Sequence, residues 1–315
     1  VYKENNCAIK KISNVQDYGL CHTVINEIYS LTLLKNLSNI INSSKIELTA
    51  EYAFIYMDLY DMTLYDYLFI EKNIKEIKMI GQKLFEDISR GLYTIHAYGL
   101  VHKDIKSNNI LMKFNSDCIT FTIIDFGTCG RYNNIYPIGA GGYVPPECIN
   151  NECGVTQKSD VFAAGCCFYD YFYSFVKKDK LKFYDIRKFY TENYNGITYP
   201  DIIDVKNLLR IGDIPNNFYE FMDNCLMIDP ANRNINKSNL YRLERGQFRI
   251  SEDTTLRMLN ITQSWIIKVS RDLKFKLSTS LLCLDIIQRV THNYLINKSE
   301  LQIMACICLH LSSKL

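Results

Sequence analysis

The sequence lacks any uninterrupted apolar run approaching the roughly 20 residues that a helix needs to cross a bilayer. Its first six residues are polar and hold no signal-peptide core. Both absences point to an intracellular chain, cytoplasmic or nuclear, with no membrane partner. An excess of one charge sign is missing too, since 36 Lys+Arg against 34 Asp+Glu leave only +2. That balance gives no general attraction for nucleic acid, so no nucleic-acid partner is expected and specificity must come from a site. No internal repeat recurs at a fixed period, which excludes a solenoid. The twelve cysteines have no secretory signal before them and are scattered through apolar stretches, so they read as buried thiols rather than a disulfide scaffold. The pairs Cys148/Cys153 and Cys306/Cys308 lack the second half of a tetrahedral zinc site, and no metal-binding cysteine is assigned. Residue 1 is Val rather than Met, and Leu315 follows an apolar run without a tail, which is the look of a piece of a longer chain.

The remaining composition is that of a folding chain: 48% hydrophobic and 22% charged over 315 residues, a length suited to about two domains. Strand-like runs occupy 7–12 and 52–57, with a helical pattern over 23–37 between them. From residue 63 the pattern turns helical. Over 74–98, Ile77, Ile80, Leu84, Phe85, Ile88, Leu92 and Ile95 recur at the three-to-four spacing of one buried face. Short strands are predicted at 110–113 and 121–124, a Gly-rich stretch at 139–142, and helices again to about residue 243. A polar linker over 246–255 precedes three helical segments, 256–272, 279–293 and 299–314. A small β-rich lobe followed by a larger helical one is the implied arrangement.

The chemistry concentrates in His102-Lys103-Asp104-Ile105-Lys106-Ser107-Asn108-Asn109 and, further on, Asp125-Phe126-Gly127. Phosphoryl transfer needs a carboxylate to orient the hydroxyl nucleophile, oxygen ligands for magnesium and a cation against the transferring charge. These residues supply each part. In order and spacing they resemble the catalytic loop and metal-binding triplet of the eukaryotic protein kinase family. The resemblance implies Asp104 as catalytic base, Lys106 as γ-phosphate contact, and Asn109 and Asp125 as magnesium ligands. Upstream, Cys7-Ala8-Ile9-Lys10 resembles the strand whose Lys holds the α- and β-phosphates, and Glu27 its helix partner. Downstream, Tyr143-Val144-Pro145-Pro146-Glu147 resembles the end of the activation segment, Ser159-Asp160-Val161 the start of the central large-lobe helix, and Arg233 the partner of Glu147. Lys106 implies Ser/Thr rather than Tyr substrates. The cofactors implied are ATP and Mg, with the adenine between Val1 and Ala8 on one side and the backbone of Asp58, Leu59 and Tyr60 at the lobe connection.

The sequence departs from that pattern at several places. Residues 1–3 resemble the strand that directly follows the glycine-rich loop, so the loop lies before the first residue given. Ala140 stands where Ser/Thr kinases usually carry a Thr. Asn26, Lys103 and Gly130 replace the three Arg residues that grip an activation-segment phosphate in cyclin-dependent kinases, and only Arg131 lies next door. The stretch from Asp125 to Glu147 contains no Ser, and its single Thr is Thr128.

Residues 19–28 resemble the cyclin-binding helix of cyclin-dependent kinases through Gly19, Thr23, Ile25, Glu27 and Ile28. Met258, Ile261, Trp265, Leu301 and Gln302 fall on positions of the substrate-docking patch of a cyclin box, and Ser312-Ser313-Lys314 resembles the end of its third helix. By that resemblance Lys314 should meet the start of the kinase helix. The implied fold class is α+β: a two-lobed protein kinase domain without its glycine-rich loop over 1–245, a linker over 246–255, and an all-α partial cyclin-like domain over 256–315. The implied function is transfer of the γ-phosphate of ATP to a protein substrate, assisted by the cyclin-like domain in cis or a cyclin in trans. A pseudokinase scaffold that binds nucleotide or partners, and a generic helical appendage in place of the cyclin box, are the alternatives.

Overall fold

The structure, a computed structural model, describes residues 1–4, 7–13, 22–49, 51–70, 74–115, 118–130, 143–149, 155–176, 222, 224–227, 229–233, 235, 256–293 and 298–314. The linker 246–255, the Gly-rich stretch 139–142 and the helices predicted between 177 and 221 lie outside them. Strands β1 (Tyr2–Glu4), β2 (Cys7–Ser13), β3 (Ser43–Leu48) and β4 (Tyr52–Asp58) form an antiparallel sheet in the order β1-β2-β4-β3. The register pairs Ala8 with Met57, Lys10 with Ile55 and Ile12 with Ala53. Residues directly opposite share a sheet face, so Lys10 lies on the same side as buried Ala53, Ile55 and Met57. That face meets helix α1 (His22–Leu33). The helix stops four residues before the apolar pattern does, because Asn36 takes a left-handed conformation (φ 61°) just past its end.

The short strand β5 (Met62–Thr63) leads into α2 (Leu64–Tyr67), started by a capping box in which the Thr63 hydroxyl accepts from the Asp66 N–H at 3.1 Å. Helix α3 (Ile74–Ala97) buries Ile80, Leu84, Ile88, Leu92 and Ile95 as its periodicity dictates. It crosses α5 (Gln157–Val176) closely at Gly81, where a Cβ would lie 2.9 Å from the Phe172 ring. Between them, β6 (Ile110–Phe114) and β7 (Ile119–Ile123) form a hairpin with Ile110 opposite Ile123. The hairpin determines where the chemistry sits: the residues before β6 and those after β7 emerge side by side. Helix α4 (Pro146–Ile149) precedes α5.

Helices α6 (Leu256–Asp272), α7 (Leu277–Asn293) and α8 (Lys298–Lys314) pack on one another. Their buried Ile266, Leu281, Leu284, Ile287 and Leu309 belong to the same continuous apolar core as Val24, Ile25 and Ile28 of α1. Of the residues resembling a docking patch, Leu301 is buried, Trp265 packs against the core, and Ile261 and Gln302 are exposed. Lys314 is exposed, and the start of the helix that it is expected to meet, residues 19–21, lies outside the described residues.

Candidate active site

Lys10, Glu27 and Asp125 come from three separate segments and meet at one point. The Lys10 ammonium donates to Glu27 Oε2 at 2.9 Å and to Asp125 Oδ1 at 2.7 Å. Burial pulls the Lys10 pKa down, but the two carboxylates outweigh it and hold it above the ordinary lysine value. Glu27 is 1% exposed, and burial raises its pKa despite the offsetting Lys10 charge. At Asp125 burial is outweighed by the Lys10 charge and hydrogen bond, so its pKa lies below the usual carboxylate range. Asp125 has φ 67°, a left-handed conformation that aspartate tolerates better than most residues. Gly127 follows beside Glu27, and a Cβ there would sit 3.2 Å from Glu27 Oε2. The Asn26 amide donates to the Gly127 carbonyl at 3.2 Å, a second tie between α1 and this turn.

The loop before β6 is held from beneath by Asp160, 1% exposed at the start of α5. Its carboxylate accepts from the backbone N–H groups of His102 and Lys103 at 2.8 and 2.9 Å, and its Oδ2 lies 2.9 Å from His96 Nε2. His102 Nε2 lies 2.9 Å from the Ile124 carbonyl, and its ring meets Phe126 edge-on at 4.9 Å, joining the loop to the turn after β7. Burial pushes the His102 pKa down, which favours a neutral ring. Lys103 is buried with φ 70°, and its Nζ lies 3.5 Å from where a Cβ on Gly130 would be.

At the loop's centre, Asp104 Oδ2 accepts from Lys106 Nζ at 2.6 Å and from Asn109 Nδ2 at 2.9 Å. Asn109 Nδ2 also donates to the Asp104 carbonyl at 2.8 Å. The Asn109 amide nitrogen is thus committed, and its carbonyl oxygen is the end available to a ligand. With the Asp125 carboxylate this makes a hard-oxygen donor set, the kind that fits magnesium. A recess beside Asp104 is lined by Tyr143, Val144, Pro145, Val155 and Ala163. Glu147 pairs with Arg233, whose second guanidinium nitrogen lies 2.6 Å from Oε2, and Arg233 is fully buried beside the Phe162 ring.

The structure therefore brings these residues together in two groups, Lys10–Glu27–Asp125 and Asp104–Lys106–Asn109, linked where the Ile124 N–H next to Asp125 donates to the Asn109 backbone carbonyl at 3.0 Å. The adenine-site residues are placed more openly: Ala8 pairs with Met57, Asp58 is exposed, Leu59 and Tyr60 are half-buried, and Val1 is 84% exposed. Ala140 and Arg131 lie outside the described residues. Sequence reasoning did not find the hydrogen bond from Asn26 to Gly127, nor the network beneath the loop in which Tyr143 and Ser107 donate to Asp170 at 2.5 and 3.1 Å. Hydroxyls and amides that bond across the fold carry no local signature.

The protein kinase domain family matches residues 2–242 and the cyclin N-terminal domain family residues 232–315. Among individual proteins, the chain is 28% identical over 253 residues to the dual specificity protein kinase Ttk of Danio rerio, covering 74% of this chain and 24% of that protein. It is 25% identical over 193 residues to the Raf homolog serine/threonine-protein kinase of Caenorhabditis elegans, covering 58% and 23%. The putative serine/threonine-protein kinase L673 of Acanthamoeba polyphaga mimivirus matches at 27% over 182 residues, covering 52% and 31%. The chain spans about a quarter of the length of the first two of these relatives. With its model matched over most of the length, the chain belongs to the protein kinase family, and its last 84 residues match the cyclin N-terminal domain family.

Proposed function

We propose that the chain is a Ser/Thr protein kinase that transfers the γ-phosphate of ATP to protein substrates, held in its active arrangement by its own cyclin-like helices. The observation that carries this reading is the closed Lys10–Glu27 pair tied to Asp125. Such transfer depends almost entirely on positioning and electrostatics, so a preformed cation between two buried or half-buried carboxylates is the part that must be in place first. Lys10 would meet the α- and β-phosphates, its charge maintained by Glu27 and Asp125. Asp104 would orient the substrate hydroxyl and take its proton on Oδ1, because both of its side-chain hydrogen bonds fall on Oδ2. Lys106, 2.6 Å from Asp104, would set a positive charge beside the transferring group. Asp125 and the Asn109 carbonyl oxygen would hold magnesium, which when bound offsets charge on the phosphate oxygens. Ala8 and Val1, with the backbone of Asp58, Leu59 and Tyr60, would hold the adenine, and the recess beside Asp104 would take a substrate side chain next to the acceptor hydroxyl.

The proposed boundaries are 1–245 for the kinase part, 246–255 for the linker and 256–315 for the cyclin-like part, in a cytoplasmic or nuclear protein. The test is to compare Asp104→Asn and Asp125→Asn in the full chain. Loss of a general base lowers turnover by about 10²–10⁴. Asp104→Asn should therefore keep Mg-nucleotide affinity while losing turnover, whereas Asp125→Asn should bind Mg-nucleotide poorly as well. Equal activity of both variants to the parent would reject the enzyme in favour of a scaffold that binds without catalysis.

A further inference from the structure

Every residue of α1 from 24 to 31 is buried, the most exposed being Asn26 at 6%. A helix lying on a sheet keeps a wet stripe along its outer side. Over these two turns α1 has none, because α6 packs against it and α7 reaches it as well. Most of that cover is apolar, and apolar packing is non-directional. A directional contact is added to it: the Tyr29 hydroxyl donates to Asp285 Oδ1 at 2.5 Å, joining α1 to α7 across 256 residues of sequence. Both partners are buried, at 3% and 8% exposure. At about 100° per residue, Tyr29 projects some 200° around the helix from Glu27. The helix is therefore held from two roughly opposite sides, by Lys10 and the Gly127 turn on one and by Asp285 on the other.

We propose that the Tyr29–Asp285 hydrogen bond is the contact through which the C-terminal helices fix the rotation of α1 and so keep Glu27 on Lys10, making Tyr29 and Asp285 positioning residues for phosphotransfer. This rests on the kinase reading above. A hydroxyl-to-carboxylate bond is charge-assisted and short, and neither partner can turn to water when it breaks.

The experiment measures kcat and KM for ATP and for casein in the full chain, with melting temperatures alongside, for Tyr29→Phe, Asp285→Ala, Asp285→Asn, the Tyr29→Phe/Asp285→Ala pair and Lys10→Met. Hydrogen bonds to charged groups contribute enough that Tyr29→Phe and Asp285→Ala should each lower kcat by about ten-fold at a temperature where both are folded. The casein KM should not change. Asp285→Asn, which keeps an uncharged acceptor, should recover most of the loss, and the double variant should be no worse than either single change. Should Tyr29→Phe not fold, the contrast between Asp285→Asn and Asp285→Ala decides. Unchanged kcat in Tyr29→Phe and Asp285→Ala, or losses that add in the double variant, would overturn the proposal. A lower melting temperature with kcat intact would do the same, since it assigns the pair a purely structural part. Lys10→Met separates the two readings: if it is as active as the parent, the kinase reading itself has failed.

Discussion

Removing the Asn26 amide should cost activity, while removing phosphate from the protein should cost none. In cyclin-dependent kinases, which this sequence resembles, three Arg residues grip a phosphorylated residue of the activation segment. Here Asn26, Lys103 and Gly130 stand at those positions. The structure shows two of them turned to other uses. Asn26 donates to the Gly127 carbonyl at 3.2 Å in a buried setting, and Lys103 is buried with its ammonium against Gly130. Gly130 in turn exchanges backbone hydrogen bonds with Val101 at 2.8 and 3.0 Å. The start of the segment is thus tied to α1 and to the catalytic loop without a phosphate. A neutral hydrogen bond contributes roughly 0.5–1.5 kcal/mol net, and leaving a buried carbonyl unpaired costs roughly 1–3 kcal/mol. If that free energy belongs only to the closed arrangement of α1 and the open one is of comparable stability, Asn26→Ala lowers the closed-to-open ratio by about ten-fold and kcat by about five-fold. The assay is casein phosphorylation by full-length protein before and after exhaustive phosphatase treatment, with Asn26→Ala beside the parent. Parent activity that collapses on dephosphorylation, or Asn26→Ala turnover equal to the parent, would refute the reasoning.

Two further outcomes follow from other parts of the structure. Arg233→Met leaves the buried Glu147 carboxylate without its cation and should destabilise the protein by about 3–5 kcal/mol, whereas Arg233→Met with Glu147→Leu should recover much of that loss; denaturant melts of both variants check this, and equal losses would contradict it. Because its carboxylate partners raise the folded-state pKa of Lys10 above 10.5, the stability it contributes is fully present below that value and is lost as pH rises through the folded pKa. The lead in melting temperature of the parent over Lys10→Met should accordingly hold from neutral pH to about pH 10 and shrink above 10.5, and a lead independent of pH would count against the pairing.

Much of this was legible in the sequence, for reasons of local physics. The apolar spacing of α3 and the β-type alternation of β2 and β4 each place a buried face without reference to the rest of the chain. The three C-terminal helices emerge within two residues of their predicted ends. Strand β3 escaped notice because Ser43-Ser44-Lys45-Ile46-Glu47-Leu48 is a polar edge strand with little apolar alternation to read. The candidate site residues that the structure brings together were legible because each proposed role demands a particular chemistry at a particular spacing. Tyr29, Asn26 and Asp285 were not, since their roles exist only once α1 is enclosed between the sheet and the C-terminal helices. A Tyr on an amphipathic helix reads as ordinary core until its hydroxyl is seen to meet a buried carboxylate.

The account stands on the claim that the cleft formed by Lys10, Glu27, Asp104, Lys106, Asn109 and Asp125 transfers phosphate. The most direct measurement is incorporation of label from γ-labelled ATP into casein by the full chain, with and without magnesium, beside Asp104→Asn at equal protein concentration. The account predicts magnesium-dependent incorporation on Ser and Thr by the parent and a loss of about 10²–10⁴ in Asp104→Asn. No incorporation by the parent, or incorporation undiminished in Asp104→Asn, would contradict it.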